Sequence, residues 1–287
     1  MSAQSLLLNG TDFTVDDVVI GKPRANKAGG KSVPILAKES GQALLVTTPL
    51  LLTWGANENS DDQSGRKWYD MSLQFPKDGY ETENTRKFLS NMQALEEHIK
   101  NAACTTHCKD WFNKANVERV VVDALYTPML RYPRDPATGE ADLTRSPTIR
   151  VKLDYWDDKF TCELYDPNNQ LLFPVDGGPS PVDLITKGSQ VATILKCGGV
   201  WLANGKFGVT WRLEQAVVQP RPTIRGRCHI SLSATDRTTM EAAAVPAASA
   251  LTESDDEDET PEAELEPPPA PAPAPATKKK VVRRKAA

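Results

Sequence analysis

The sequence GGVWLANGKFGVTWRLEQAVV, residues 198–218, is the feature that most constrains the fold of this chain. Asn204 and Gly205 tolerate positive φ, so they predict a two-residue hairpin turn between two β-strands. In the register that this turn sets, Trp201 lies opposite Gly208. The segment therefore predicts a β-rich fold with a defined hairpin near the end of its sheet.

The two faces of this hairpin differ in chemistry, because side chains alternate between faces along a strand. One face collects the apolar residues Val200, Leu202, Phe207, Val209, Trp211 and Leu213, a set that suits a protein core. The other face carries Trp201 together with Lys206 and Arg212. An aromatic ring among cations, with a glycine opposite, suits a flat anionic ligand. The alternative is that another segment covers Trp201, since tryptophan is usually largely buried.

A second hairpin is predicted over residues 148–165, TIRVKLDYWDDKFTCELY, with Asp157 and Asp158 at its tip. Its inner face is apolar, and its outer face again combines aromatic residues with cations. The candidate binding residues of this outer face are Arg150, Lys152, Trp156, Lys159 and Tyr165. The alternative is a solvated face with a cross-strand pair between Lys152 and Glu163.

Residues 22–38 are predicted to form a mobile basic loop, because glycines and prolines interrupt them and they contain no acid. Its candidate phosphate contacts are Lys22, Arg24, Lys27 and Lys31. The sequence NKAGGKS within it ends like a nucleotide-binding P-loop. However, Ala25 stands where that motif requires glycine, and a strand-like run follows instead of a helix. We therefore expect no nucleotide triphosphatase site.

One long helix is predicted over residues 82–103, with Thr82 or Asn84 as its N-cap. The apolar residues at helical spacing are Phe88, Met92, Leu95, Ile99 and Ala102, which predicts one core-facing stripe. About seven strands surround this helix in the sequence. We therefore predict a mainly β fold over residues 1–237, a small barrel or sandwich with an inserted helix.

Residues 238–287 are predicted to be a disordered tail of low complexity. The tail contains an acidic block (253–266, nine carboxylates), a Pro/Ala linker (267–277) and a basic end (278–285, six bases). The net charge of −4 hides these opposite segments, and the remaining chain is nearly neutral. An acidic chain average is therefore compatible with a nucleic-acid partner.

Several other classes of protein lack support in the sequence. We expect no signal peptide, no membrane span and, from five irregularly spaced cysteines, a reducing intracellular compartment. No catalytic motif is found, so we expect no enzyme activity and no cofactor. Cys104, His107 and Cys108, with Cys228 and His229, match zinc-ligand spacing poorly, so no metal site is expected.

Three segments together resemble a known family. YDMSLQFPKDGYETENTRKFLSNMQALEEHI, then TIRVKLDYW, then KGSQVATILKCGGVWLANGKFGVTWRLEQAVV resemble the single-stranded DNA-binding proteins of short-tailed coliphages. The similarity covers residues 67–218 and is greatest to the branch found in large DNA viruses of algae and protists. That family has a tryptophan at the position of Trp201 and a close counterpart of the sequence RLEQ.

The resemblance implies an OB-fold barrel with an inserted helix and an acidic C-terminal tail. It also implies sequence-nonspecific binding of single-stranded DNA in viral replication, recombination and repair. Trp201 would stack on bases, and the acidic tail would recruit a polymerase, helicase or primase. A homodimer is an open alternative. The expected location is the host nucleus or a cytoplasmic viral replication site, and packaging in the virion stays open.

The chain departs from this family in three ways. Gly199 stands where the phage proteins have an aromatic residue, the N-terminal region to about residue 60 is longer, and the tail continues to a basic end. The acidic block could recruit partners, compete with DNA or only aid solubility. The basic end could pair with the acidic block, contact DNA or act as a nuclear address. The alternative function is a virion or scaffold protein that uses its outer aromatic residues for protein contacts.

Overall fold

The structure is a computed structural model that describes residues 7–26, 29–62, 65–219 and 228–243. The contacts within the chain separate residues 1–226 from residues 227–287. In the second unit the described structure is one helix, Ala234–Ala243, which spans the boundary that the sequence predicts at 237/238. None of the helices in these described ranges is both long and apolar enough to cross a membrane.

The described residues are mainly β-strand, as predicted. The first eight strands are β1 (Leu7–Asn9), β2 (Val18–Ile20), β3 (Arg24–Ala25), β4 (Lys31–Val33), β5 (Ile35–Ala37), β6 (Leu45–Thr47), β7 (Leu51–Ser60) and β8 (Lys67–Gln74). The other strands are β9 (Tyr126–Thr127), β10 (Leu130–Arg131), β11 (Thr148–Leu153), β12 (Tyr155–Trp156), β13 (Lys159–Phe160), β14 (Glu163–Tyr165), β15 (Leu171–Phe173), β16 (Gln190–Ala203) and β17 (Lys206–Gln219). The helices are α1 (Glu83–Cys104), α2 (Cys108–Phe112), α3 (Arg119–Leu125), α4 (Pro181–Leu184) and α5 (Ala234–Ala243).

Five of these strands close into a ring. The order is β16, β7, β8, β11 and β17, and β17 pairs again with β16. Four of the five contacts are antiparallel, whereas β11 and β17 run parallel, with Val151 opposite Trp211. Met71, Val151 and Trp211 are fully buried inside the ring. The helices α1 to α3 are inserted between β8 and β11. The ring is a small barrel with an inserted helix, one of the two architectures that the sequence predicts.

Helix α1 forms where its apolar spacing predicts. The hydroxyl oxygen of Thr82 accepts a hydrogen bond from the Thr85 amide at 3.1 Å, which caps the first turn. Phe88 is fully buried and stacks on Phe75, directly after β8, at 5.6 Å between ring centroids. The last buried position of the stripe is Ala103 instead of the predicted Ala102.

The 204–205 hairpin has the predicted register, with Trp201 opposite Gly208. Asn204 and Gly205 have φ of 51° and 72°, as this turn requires. Strand β16 contains a bulge between Cys197 and Val200, at which it changes partners. It pairs with β6 before the bulge and with β4 after it.

Candidate nucleic-acid interface

Trp201 lies in the middle of a cross-strand row of small residues on the outside of the barrel. Ser32 of β4 is paired with it on one side and Gly208 of β17 on the other, and Thr127 of β9 follows Gly208. A Cβ atom on Gly208 would lie 3.0 Å from Cζ2 of Trp201, so the edge of the indole lies over the glycine. Trp201 is half-buried. The ring is held in place and partly open to solvent.

A surface cavity of about 180 Å³ lies beside this ring. Its lining residues are Thr127, Pro128, Met129, Arg131, Arg150, Lys152, Trp201, Val209, Thr210 and Trp211. We call this the Trp201 cavity. It combines one partly exposed indole with three cationic side chains, which is the pairing of stacking surface and positive charge that a nucleic-acid strand requires.

The three cations of the cavity come from neighbouring strands. Arg150 and Lys152 alternate with buried residues along β11, and Arg131 of β10 is paired with Thr148 on the same face. The pKa of Lys152 is lowered by its partial burial and by the adjacent Arg212 and Arg150. Partial burial and Arg150 likewise lower the pKa of Arg131. A bound anion would relieve this repulsion between like charges.

Two carboxylates fix the guanidinium groups of this surface. Arg150 forms an ion pair with Asp70 of β8, which also accepts a hydrogen bond from the Asn59 side-chain amide at 3.0 Å. Arg212 forms an ion pair with Asp154 at 2.7 Å. Arg212 is also paired with Lys152 across the parallel β11–β17 contact. These pairs hold Arg150 and Arg212 in defined orientations on the outer surface.

The predicted loop of residues 22–38 differs from expectation, because it contains strands β3, β4 and β5. The exposed Arg24 is paired with Ser32, so it lies on the Trp201 side of the sheet, two strands away. Lys31 is paired with Leu202 on the opposite side, and its ammonium donates to the carbonyl of Asp110 at 2.9 Å. The register of β4 on β16 thus separates Lys31 from the cavity.

Three other candidate cations remain. Two of them are among the described residues and one is not. Lys206 begins β17 at the tip of the hairpin and lies on the same face as Gly208, two positions away. Lys22 is exposed and lies two residues before β3. Lys27 lies outside the described residues.

The predicted hairpin over residues 148–165 is shorter than expected. Asp157 and Asp158 do form the turn, both with positive φ, and Trp156 is paired with Lys159. Trp156 is 63% exposed, so this tip presents an indole beside a cation. This tip follows Asp154, which lies directly after β11 and forms the ion pair with Arg212.

The predicted pairing of the second half of that hairpin is wrong. Strand β14 runs parallel to β17, not beside β11, so Glu163 lies opposite Gln215 and accepts a hydrogen bond from its side-chain amide at 2.7 Å. The cross-strand pair of Lys152 and Glu163, the alternative for this hairpin, therefore does not form. The hydroxyl of Tyr165 donates to Glu163 at 2.9 Å, which places this ring beside a carboxylate. The structure does not bring Tyr165 to the Trp201 cavity.

The segment from β9 to β10 was missed in the sequence, although it supplies Arg131 and one wall of the cavity. Glu96 of α1 holds it by accepting hydrogen bonds from the amides of Met129 and Leu130 at 3.1 and 3.4 Å. The indole N–H of Trp211 donates to the sulfur of Met129 at 3.4 Å. Two-residue strands carry no periodicity, so no sequence signal identified them.

Gly199 has a structural reason for lacking a side chain. Its φ is +83°, and a Cβ atom there would lie 2.3 Å from the carbonyl oxygen of Val33. The aromatic residue that the phage family has at this position has no space here. The surface beside Trp201 therefore differs from the one that the resemblance implies.

The cysteine and histidine cluster is used in packing. The His107 ring stacks on Trp111 with 5.5 Å between centroids, and the thiol of Cys108 donates to the carbonyl of Lys114 at 3.2 Å. Among the described residues, no group of three His, Cys, Asp or Glu side chains is arranged to hold a metal ion.

No protein-family model matches the chain, and no curated protein matches it. Among solved structures, the single-stranded DNA-binding protein of bacteriophage Enc34 in complex with single-stranded DNA is similar. It has a TM-score of 0.38 and 11% identity, covering 71% of this chain and 98% of that chain. The single-stranded DNA-binding protein of bacteriophage T7 has a TM-score of 0.37 and 13% identity, covering 73% and 98%. This similarity is too low to assign the chain to a family.

Proposed function

We propose that this protein binds single-stranded DNA without sequence preference, through the Trp201 cavity. One observation carries the proposal: a partly exposed indole lies beside Arg131, Arg150 and Lys152 on the outside of the barrel. Aromatic stacking accepts any base, and cations that follow the backbone neutralise phosphates. Faces of OB barrels bind oligonucleotides in this way.

Neighbouring residues extend this interface. Arg24 and Lys206 lie on the same side of the sheet as Trp201, and Trp156 with Lys159 forms a second exposed pair at the end of β11. In the proposal, these cations follow the DNA backbone away from the cavity. Lys22 and Lys27, which lie close to Arg24 in the sequence, are further candidate phosphate contacts. Lys31 and Tyr165 contribute to the packing described above.

The biological role that we propose is coating of exposed DNA strands during viral replication, recombination and repair, at a replication site in the nucleus or cytoplasm. The acidic block would recruit a polymerase, helicase or primase, or compete with DNA for the cations. Competition predicts that truncation after residue 250 tightens DNA binding. Unchanged or weaker binding by the truncated protein would argue against it.

The proposal is tested with Trp201→Ala and a fluorescently labelled oligothymidine. Because one stacked base contributes roughly 1–3 kcal/mol, we expect the dissociation constant to rise about tenfold or more. The matched control is Tyr80→Ala, which removes an 81% exposed ring from the loop between β8 and α1. Equal affinity of the folded Trp201→Ala variant and the wild-type protein would reject the interface.

A further inference from the structure

A further exposed tryptophan, besides Trp156, lies on the same barrel. Trp54 of β7 is 45% exposed, whereas its neighbours Leu51 and Thr53 are buried inside. The core therefore does not require its ring. The ammonium of Lys187 lies 5.5 Å from the ring centroid. This is the same pairing of indole and cation that marks the Trp201 cavity.

The Trp54 ring is fixed in orientation. Its indole N–H donates to the side-chain carbonyl of Gln74 at 3.2 Å. The amide nitrogen of Gln74 in turn donates to the backbone carbonyls of Phe75, Ser146 and Pro147 at 3.0 to 3.2 Å. A ring that is ordered before a ligand arrives loses little conformational freedom on binding.

A bulge in the backbone occurs at this ring. The pairing of β7 with β8 shifts between Thr53 and Ala56, so Trp54 and Gly55 form a bulge. Gly55 has a φ of +90°, and a Cβ atom there would lie 3.0 Å from the Lys187 amide nitrogen. Bulges often reorient a side chain beside a functional site.

The position of Trp54 connects it to the cations of the cavity. Ser72 of β8 faces the Trp54–Gly55 bulge, and on its other side it is paired with Arg150 of β11. Ser72, the residue of β8 that lies between Trp54 and Arg150, has a small side chain. Thr210, which lines the Trp201 cavity, lies on the next strand beyond Arg150. An outer path therefore runs from Trp201 past Arg150 to Trp54.

We infer that Trp54 is a second base-stacking platform and that Lys187 contacts a phosphate beside it. This inference rests on the proposed function, because it extends the same DNA path across the barrel. From β16 to β7 the path crosses four interstrand spacings, roughly 19 Å at about 4.8 Å each. An oligonucleotide must be long enough to span that distance before it contacts both rings.

The test compares Trp54→Ala, Trp54→Phe and Trp201→Ala on an oligothymidine series from about 4 to about 16 nucleotides. We expect Trp201→Ala to weaken binding at every length. Trp54→Ala should weaken binding of the long oligomers at least about fivefold and of the shortest oligomers much less. Trp54→Phe should retain most of the affinity, because it keeps a stacking ring. Tyr80→Ala is again the exposed-ring control.

The outcomes separate this inference from the proposed function. If only Trp201→Ala weakens binding, the second platform is rejected and the Trp201 interface stands. A loss with Trp54→Phe as large as with Trp54→Ala also rejects stacking at this position. If neither alanine variant changes affinity, the proposed function itself fails. Thermal unfolding of each variant verifies that the barrel remains folded.

Discussion

At the scale of residues, the proposed interface depends on how closely small residues approach Trp201. Gly208 lets the indole edge lie against the sheet, and Ser32 occupies the position on the other side of the tryptophan. A larger side chain at either position would compete with the ring for space. The orientation of the Trp201 ring therefore depends on its neighbours as well as on the tryptophan itself.

Gly208→Ala tests this packing. The new methyl group would lie 3.0 Å from Cζ2 of Trp201 and 2.9 Å from the Thr127 carbonyl, so the ring or β9 must shift. We expect weaker binding of oligothymidine, by part of the roughly 1–3 kcal/mol of one stacked base. Fluorescence anisotropy measures the affinity, and thermal unfolding verifies the fold. A folded variant with wild-type affinity would contradict the role of the glycine.

Substitution of Glu96 tests how the segment from β9 to β10, which forms one wall of the Trp201 cavity, is held in place. Burial raises its pKa, opposed by the amides of Leu130 and Met129 and by Lys100. Because the folded-state pKa lies above the unfolded value, this group stabilises the fold at low pH, and the contribution is lost as pH rises through the folded pKa. Glu96→Gln keeps an acceptor for the two amides and removes the buried charge.

We compare the free energy of unfolding of Glu96→Gln with that of the wild-type protein. We therefore expect this difference to favour the variant more at pH 7 than at a pH just above 4.5, the usual pKa of glutamate. Thermal unfolding of both proteins at the two pH values gives this comparison. A relative stability that is independent of pH, or that reverses in sign, would show that the Glu96 carboxylate is not strained by burial.

At the scale of elements, the sequence predicted the structures that depend on nearby residues better than the strand pairings that depend on distant ones. The Asn204–Gly205 turn fixes the register of its own hairpin, and the periodicity of α1 fixes its buried face. The partner of β14 could not be predicted in this way, because its parallel contact with β17 depends on barrel closure. Glycines and prolines hid strands β3 and β4 in the sequence, because β4 is ordered by pairing with β16 and β3 by pairing with β4.

The bulge in β16 joins the half of the strand that pairs with β6 to the half that pairs with β4. Gly199→Ala would place a methyl group 2.3 Å from the Val33 carbonyl, at a φ of +83°. We expect the free energy of unfolding to fall by more than about 2 kcal/mol, since a residue forced into this region costs about 1–3 kcal/mol before the clash is counted. Chemical denaturation measures the change. A decrease below about 0.5 kcal/mol would mean that β16 and β4 separate easily, because the strain alone exceeds that value.

At the scale of the whole molecule, charge placement matters more than net charge. The chain carries a net charge of −4, yet the outer surface near Trp201 combines Arg131, Arg150 and Lys152. The sequence predicted the two cations of β11, because strand alternation places them outside. It did not predict Arg131, whose segment is held by the distant Glu96, or Trp54, which lies at a bulge of β7.

Lys152→Ala tests whether these cations contact phosphates. Removing one cation that neutralises a phosphate should reduce the slope of log affinity against log salt concentration by about 0.7 for a single strand. Arg86→Ala on α1, whose side chain lies near Glu81, removes the same charge elsewhere and should leave the slope unchanged. Equal slopes for the two variants would place Lys152 outside the DNA path.

The most direct test of the account is titration of the purified protein against single-stranded and double-stranded oligonucleotides of equal length at low and high salt. Fluorescence anisotropy of a labelled oligomer reports binding. We predict saturable binding of oligothymidine that weakens steeply with salt, and weaker binding of the duplex, whose bases cannot stack on Trp201. No binding of oligothymidine at low salt, or a preference for duplex, would contradict the account.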